Sequence, residues 1–319
     1  MMDGTGSMRA NMFNPDFPDA AGNYARWRDA KLQSMPISAD ELTVEVCDPR
    51  ALSAVEHEAI VERLERANMA IYASPVRSED KSIPLALGRQ FGLSRLDGNW
   101  LADEDKITQI TVDADGSRHH YIPYTTQAMN WHTDGYYNNP GKPIHAMLLH
   151  CVRSSARGGE NNLLDHELAY IRMRDHNPDF VRSMTGRDAM TIPAREDEDG
   201  VARDAVSGPV FSNNAVSGRL HMRYTARTRS IVWFDDPTTR AAVAWLQALL
   251  NTETTGKICV RLEPGMGLIC ANVLHNRTPF EDDPATPRLL YRARFFDEIS
   301  CIAADAAQPT QARPPWQAR

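Results

Sequence analysis

The chain has 319 residues, 42% hydrophobic and 24% charged, which suffices for one large domain or two small ones and excludes global disorder. Its 35 basic and 42 acidic side chains leave a net charge of −7, so neutralising nucleic-acid phosphates is not its expected task. No apolar run approaches the roughly 18 residues of a membrane span, the best being 144–152 and 241–250, and the N-terminus lacks the basic-then-apolar pattern of a secretion signal.

Residues 1–40, rich in Asn, Asp, Pro and Met, show no sustained period and read as an N-terminal extension that docks through Tyr24 and Trp27. Leu42, Val44 and Val46 alternate as a short strand. Ser53 then caps a helix, SAVEHEAIVERLERA, with Glu56 at the capping-box position and Val55, Ile60, Val61 and Leu64 on one face. NMAIYAS follows as a strand, and Ile107, Ile110 and Val112 mark another. YIPYTTQAM is a strand-like approach to the segment NWHTDG, and 144–152 is a buried strand. Helices are expected at 166–176, at 178–184 and, with Asp236 as N-cap and Pro237 at the first helical position, at 237–250. The last third returns to strands at 220–233, 257–263, 268–274 and 288–296, and the tail 303–319 is irregular.

Helices inserted among strands, rather than alternating with them, exclude a βαβ array. They predict a mainly β, α+β chain: a sandwich or jelly-roll core decorated by helices. One catalytic domain is expected over 41–302. The five cysteines, Cys47, Cys151, Cys259, Cys270 and Cys301, are odd in number and contain no CxxC pair, so they read as reduced thiols in a cytoplasmic protein. Ten histidines remain as the chemical resource.

His132 and Asp134 stand two apart. On an extended segment such residues point to one side, so an imidazole and a carboxylate converge on one ion. A third ligand from a distant strand would complete the two-His, one-carboxylate face of non-haem Fe(II) oxygenases. The pair alone is a weak signal. His275, at the end of an apolar strand in PGMGLICANVLHNRTPF, is a candidate for that third place. Beyond it, in PRLLYRARFF, Arg288, Arg292 and Arg294 share one strand face with Leu290 and Phe296. Buried arginines need an anion, because an unpaired buried charge costs several kcal/mol; the alternative is solvent, or pairing with Asp282, Asp283 or Glu298.

NWHTDG, GGENNLLD, NVLHNR and PRLLYR, in that order, resemble the TauD/TfdA-like (taurine dioxygenase) family of Fe(II)- and 2-oxoglutarate-dependent dioxygenases, which are built on a double-stranded β-helix, a cupin-like jelly roll. The likeness runs from about Leu42 to Asp297 and includes LALGRQFG and GPVFSNNAVSGRLHMRYTARTRSI. It implies that His132, Asp134 and His275 hold the iron. Arg292 would take the distal carboxylate of 2-oxoglutarate, with Arg288 assisting near its other end. Asn161 occupies the position where the family usually places a threonine that helps hold the co-substrate, and the GPVF segment departs from the family pattern.

By this likeness the cofactors are Fe(II), 2-oxoglutarate as co-substrate and O₂, and the products are succinate, CO₂ and a hydroxylated or oxidatively cleaved small polar, anionic metabolite. Asp134 favours hydroxylation over halogenation, since halogenating relatives lack that carboxylate. The expected partner is a small molecule, with neither nucleic acid nor membrane, and a homo-oligomer is expected. Two other readings use the same residues: a cupin-like metal-dependent lyase or hydrolase, against which the downstream arginines argue, and a catalytically silent metal or metabolite binder.

Other residues carry less. His119-His120 reads as a loop pair, and His145 and His150 as core or edge histidines. From Arg219 to Arg229 the odd positions make a cationic strip. Either it is a solvated strand face, or Arg223 and Arg227 reach an anionic substrate. Tyr136 and Tyr137 line the mouth or pack beneath it, and the acidic run 196–199 is a loop tip or a lid.

Overall fold

The apolar run becomes the strand Ala146–Arg153, which lies inside a six-stranded sheet of a computed structural model describing residues 12–16, 22–98, 105–113, 116, 118, 121–197, 200–214 and 216–300. A strand buried on both faces reads as continuous hydrophobicity rather than alternation. The sheet order is Thr43–Glu45, Met69–Ala73, Met266–Cys270, Ala146–Arg153, Leu289–Phe295 and Thr108–Ile110. Its first pair is parallel and the others antiparallel. A second, four-stranded antiparallel sheet runs Lys257–Val260, Asn161–Leu164, Leu274–Arg277, Met129–His132.

The two sheets share one core. Met147, Leu149, Cys151, Leu268 and Leu290 of the large sheet pack with Leu163, Ile258 and Val260 of the small one. The described residues include six α-helices: α1 (Asn23–Ser34), α2 (Ala54–Ala67), α3 (Ser82–Gln90), α4 (His166–His176), α5 (Pro178–Met184) and α6 (Pro237–Asn251). Ile60 and Leu64 of α2 and Leu87 of α3 cover the outer residues Leu148, Val152, Ala293 and Phe295. On the other side α4, α5 and α6 cover Leu164, Leu274 and Trp131 through Leu168, Val181 and Leu246. Among the described residues no helix is long and apolar enough to cross a membrane.

Local chemistry explains most element ends. Ser53 and Glu56 close a reciprocal capping box on α2, and Asp236 accepts from the amides of Thr238 and Thr239 at the start of α6. Two helices have no counterpart in the sequence pattern. In α1 only Tyr24 and Lys31 are buried, and α3 contains Pro84 and Gly88. A buried cluster pins α1: the Lys31 ammonium lies 2.6 Å from both Asp165 and Glu167, and Asn68 donates to Asp165 at 3.0 Å.

Two expected strands are broken. The 220–233 segment forms only Leu220–Met222 and Val232–Trp233, so the cationic strip is not one strand face. Near 268–274 the chain leaves the large sheet at Cys270, turns through Asn272 at φ 50° and re-enters the small sheet at Leu274. That crossing brings His275 beside His132. His119-His120, Cys301 and the 303–319 tail lie outside the described residues. Glu196 and Asp197 lie on a strand, Arg195–Asp197, that pairs with Gly200–Arg203, while residues 198 and 199 are outside.

Candidate metal centre and its arginines

His132 is the last residue of its strand and His275 the second of the next, and the two are register partners. Side chains directly opposite in an antiparallel pair lie on one face, and the two imidazole centroids are 4.2 Å apart. Asp134 sits just past the strand end, in a turn whose next residue, Gly135, has φ 69°. A Cβ there would stand 2.4 Å from Ile144 Cγ1, so this turn accepts only glycine. Asn272 holds the turn from below. It accepts from the Asp134 amide at 2.8 Å and donates to the carbonyls of Asp134 and Ile144 at 3.0 and 2.8 Å.

One ligand atom from each of His132, Asp134 and His275 lies within 4.8 Å of the others, and all three residues are buried. Nδ1 of His132 is 2.9 Å from the Asn130 carbonyl, and Nδ1 of His275 is 3.0 Å from the Val273 carbonyl. A carbonyl only accepts, so each ring is protonated at Nδ1 and presents the bare Nε2. Asp134 Oδ1 accepts from Arg292 at 3.2 Å, whereas Oδ2 is buried with no hydrogen-bond partner. Two neutral nitrogens and an unshared carboxylate oxygen around one point are the donor set that borderline divalent metals take.

The electrostatics keep these groups ready to coordinate. Burial, reinforced by His275, pushes the His132 imidazole down to about 3, and burial also lowers His275. Burial alone would raise the Asp134 carboxyl, but Arg292 and Arg294 outweigh it and hold the group well below the usual carboxylate range. Arg294 is fixed by Asp97 and by the Tyr137 hydroxyl, 2.7 Å away.

Arg288, Leu290, Arg292 and Arg294 alternate with the outward-facing Leu289, Tyr291, Ala293 and Phe295, so the arginines point between the sheets. Four residues at about 3.3 Å each separate Arg288 from Arg292 by ~13 Å. Arg288 therefore belongs to a different neighbourhood. Its guanidinium lies 5.0 Å from the Phe280 ring, which Arg277 also meets at 4.8 Å, and a Cβ on Gly159 would stand 3.8 Å from its Nε. Arg277 is the register partner of Asn161.

Three sets of donors in this neighbourhood lack acceptors. Arg288 is buried, and no described residue hydrogen-bonds or ion-pairs with its guanidinium. Asn161 Nδ2 and Arg277 Nε are buried and unpartnered too, although the Nη atoms of Arg277 donate to the Pro123, Thr125 and Gln127 carbonyls. Burial lowers Arg288, and burial together with the Arg288 charge pushes Arg277 down to about 9. Asp282 acts on Arg288 only through space, with no hydrogen bond or ion pair to its guanidinium, and burial still outweighs it, so the desolvated cationic pocket is costly unless an anion fills it.

At the other end, the Tyr136 ring stands nearly perpendicular to that of His132, with centroids 6.3 Å apart, and its hydroxyl accepts from Arg227 at 3.1 Å. A cavity of about 320 Å³ is lined by Asp134, Tyr136, Asn138, His145, His221 and Arg223, among others. Arg223, expected to reach either solvent or an anionic substrate, lines this cavity. It is buried and donates to the Tyr136, Met190, Gly208 and Val206 carbonyls, so its guanidinium ties loops together. Arg219 donates to Asn68. His150 is stacked on Tyr72 with its Nδ1 3.0 Å from the hydroxyl, and His221 meets the Ile144 carbonyl at 3.1 Å.

Asn272, Arg277 and Asp97 escape a reading by motif. Asn272 and Arg277 stand inside the NVLHNR stretch, yet only the strand crossing shows that Asn272 clamps the Asp134 turn and that Arg277 closes the Arg288 pocket.

A family model described as "Taurine catabolism dioxygenase TauD, TfdA family" matches residues 36–294. A uridine-5'-phosphate dioxygenase of a Streptomyces species is 31% identical over 246 residues, 73% of this chain and 87% of the relative. One from an Amycolatopsis species is 31% identical over 180 residues, 54% of this chain and 62% of the relative, so that match spans under two thirds of the relative's length. Among solved structures, asparagine oxygenase in complex with Fe(II), 3-hydroxyasparagine and succinate aligns with a TM-score of 0.56 at 12% identity, covering 94% of this chain and 92% of that one. The non-heme iron oxygenase OrfP, in complex with Fe and alpha-ketoglutaric acid, aligns with a TM-score of 0.56 at 14% identity and the same coverage.

Proposed function

The chain belongs to the TauD/TfdA dioxygenase family, and from that premise we propose that it is an Fe(II)- and 2-oxoglutarate-dependent dioxygenase that oxidises a small anionic metabolite. The observation that carries this reading is the buried triad His132, Asp134 and His275, with both Nε2 atoms bare and Asp134 Oδ2 unpartnered. The two sheets form a double-stranded β-helix, and one catalytic domain spans 41–302 with the preceding extension packed against it through α1. Free cysteines suit the reducing cytoplasm.

His132 and His275 would hold the iron through Nε2 and Asp134 through Oδ2. Fe(II), 2-oxoglutarate and O₂ together supply the oxidising power, which leaves succinate, CO₂ and an oxidised C–H position in the substrate. The chain's own work is to bind, orient and keep water out. Arg292 and Arg294 keep Asp134 ionised and place positive charge beside the metal. The arginine assignment drawn from the family likeness is exchanged. Arg292 contacts a metal ligand and serves the metal-proximal end of the co-substrate. Arg288, with Asn161 Nδ2 and Arg277 Nε, takes the distal carboxylate. Asn161 thus replaces a hydroxyl donor by an amide donor.

The relatives named uridine-5'-phosphate dioxygenases make a nucleoside 5'-phosphate the first candidate for the oxidised substrate. A panel of nucleotides, nucleosides and amino acids, read by Fe(II)-dependent succinate release, tests the reading. Release with none of them, together with no 2-oxoglutarate binding to the metal-loaded protein, would sink it.

A further inference from the structure

Tyr136 connects the metal centre to a group of arginines that the triad does not use. Its ring stands nearly perpendicular to that of His132, and its hydroxyl accepts from Arg227, an exposed residue beyond the short strand Leu220–Met222. Arg203, at the end of the hairpin strand Gly200–Arg203, is the second member. Its Nη2 is anchored on the Pro193 carbonyl at 2.7 Å, and its Nη1 is shielded from solvent with no partner. Arg203 feels the charge of Arg227 and the Tyr136 hydroxyl, and Arg223 in turn feels Arg203, so the three cations form one neighbourhood.

No carboxylate among the described residues ion-pairs with Arg203, Arg223 or Arg227. Arg223 has already given four of its five N–H donors to carbonyls, so Arg203 and Arg227 keep most of the free N–H groups. Two neighbouring guanidiniums without a counter-ion repel each other, and an anion with several acceptor oxygens that reaches both offsets that repulsion. Phosphate monoesters present three such oxygens and close to two charges at neutral pH.

We propose that Arg203 and Arg227, with the Tyr136 hydroxyl, form the receptor for the phosphate of the substrate, setting specificity for phosphorylated over dephosphorylated compounds. The inference rests on the dioxygenase reading and deepens it. It assigns Arg203 a role, and it leaves Arg223 as the residue that positions the surrounding loops. Charge-assisted hydrogen bonds of ordinary strength make each arginine worth about tenfold or more in affinity.

The test is arginine-selective labelling with phenylglyoxal of the full-length enzyme loaded with Mn(II) and 2-oxoglutarate, read by peptide mass spectrometry. Inorganic phosphate and uridine 5'-monophosphate should each slow modification of Arg203 and Arg227 about fivefold or more. Uridine should not, and the exposed Arg229 should label at one rate throughout. Arg203→Gln and Arg227→Gln should raise KM for a phosphorylated substrate about tenfold or more, with KM for 2-oxoglutarate unchanged. Equal labelling with and without both anions overturns the proposal, even if the nucleotide is oxidised. Protection by phosphate without oxidation of any nucleotide upholds the anion site and overturns the nucleotide reading of the substrate.

Discussion

Arg288→Met removes a guanidinium that is 5% exposed and has no ion-pair partner among the described residues. Two opposite effects follow. Without 2-oxoglutarate the variant should be as stable as the wild type, or more stable by about 1–4 kcal/mol, because a charge that Asp282 offsets only in part no longer has to be desolvated and a methionine fills similar space beside Phe280. With co-substrate the sign reverses. A bidentate pair with a carboxylate contributes about 1.5 kcal/mol or more per hydrogen bond, so losing two weakens binding by ~3 kcal/mol, roughly 100-fold. At a concentration 100 times the wild-type Kd, 2-oxoglutarate stabilises the wild type by about 2.7 kcal/mol but the variant by only ~0.4 kcal/mol. Guanidinium denaturation of the Mn(II)-loaded proteins, with and without 2-oxoglutarate, measures both numbers. A variant several kcal/mol less stable than wild type, yet with the full ligand increment, would refute the reasoning and make Arg288 a structural residue.

Three further outcomes are expected. Lys31→Met leaves Asp165 and Glu167 buried together without the ammonium that pairs with both and should cost about 3–5 kcal/mol of unfolding free energy, part of which Glu167→Gln restores; a loss below about 1 kcal/mol would contradict the role of that cluster. Arg223→Met strands four carbonyls and should cost about 3 kcal/mol or more in thermal or chemical unfolding, whereas a residue serving only a ligand would leave stability unchanged. Burial lowers His132 to about 3, His150 to about 4 and His221 to about 3. Below the ordinary value of 6.5 the unfolded chain therefore binds protons that the native state refuses. Stability of the metal-free protein should fall with pH from about 6.5 to 4, each histidine contributing up to about 1.4 kcal/mol per pH unit; unfolding free energies that stay flat over that range would contradict the burial of all three.

The parts of the molecule that local chemistry dictates were readable in the chain. The capping box at Ser53 and Glu56, the cap at Asp236 and the apolar run before Arg153 follow from spacing alone. The parts set by tertiary contacts were not. Helix α1 has no apolar stripe and depends on a buried ion cluster, and the turn at Asn272 splits what reads as one strand between two sheets. Motif order singled out the histidines and Asp134, but motif order cannot say which arginine stands at which end of a cavity. Arg288 and Arg292 share a strand face in the sequence pattern, and only the register against Leu149 and the neighbourhood of Asn161 separates them. Arg223 belongs to an alternating cationic strip in the sequence, and its carbonyl partners, drawn from three distant segments, set it apart from the other arginines there.

The most direct test is succinate release from 2-oxoglutarate by the purified enzyme with Fe(II), O₂ and uridine 5'-monophosphate, alongside Asp134→Ala and His275→Ala variants that are shown to be folded. Wild type should release one succinate for each nucleotide oxidised, only when Fe(II) is present, and both variants should fall to background. Release that persists in either variant, or that ignores Fe(II), would contradict the assignment of the triad as the iron site.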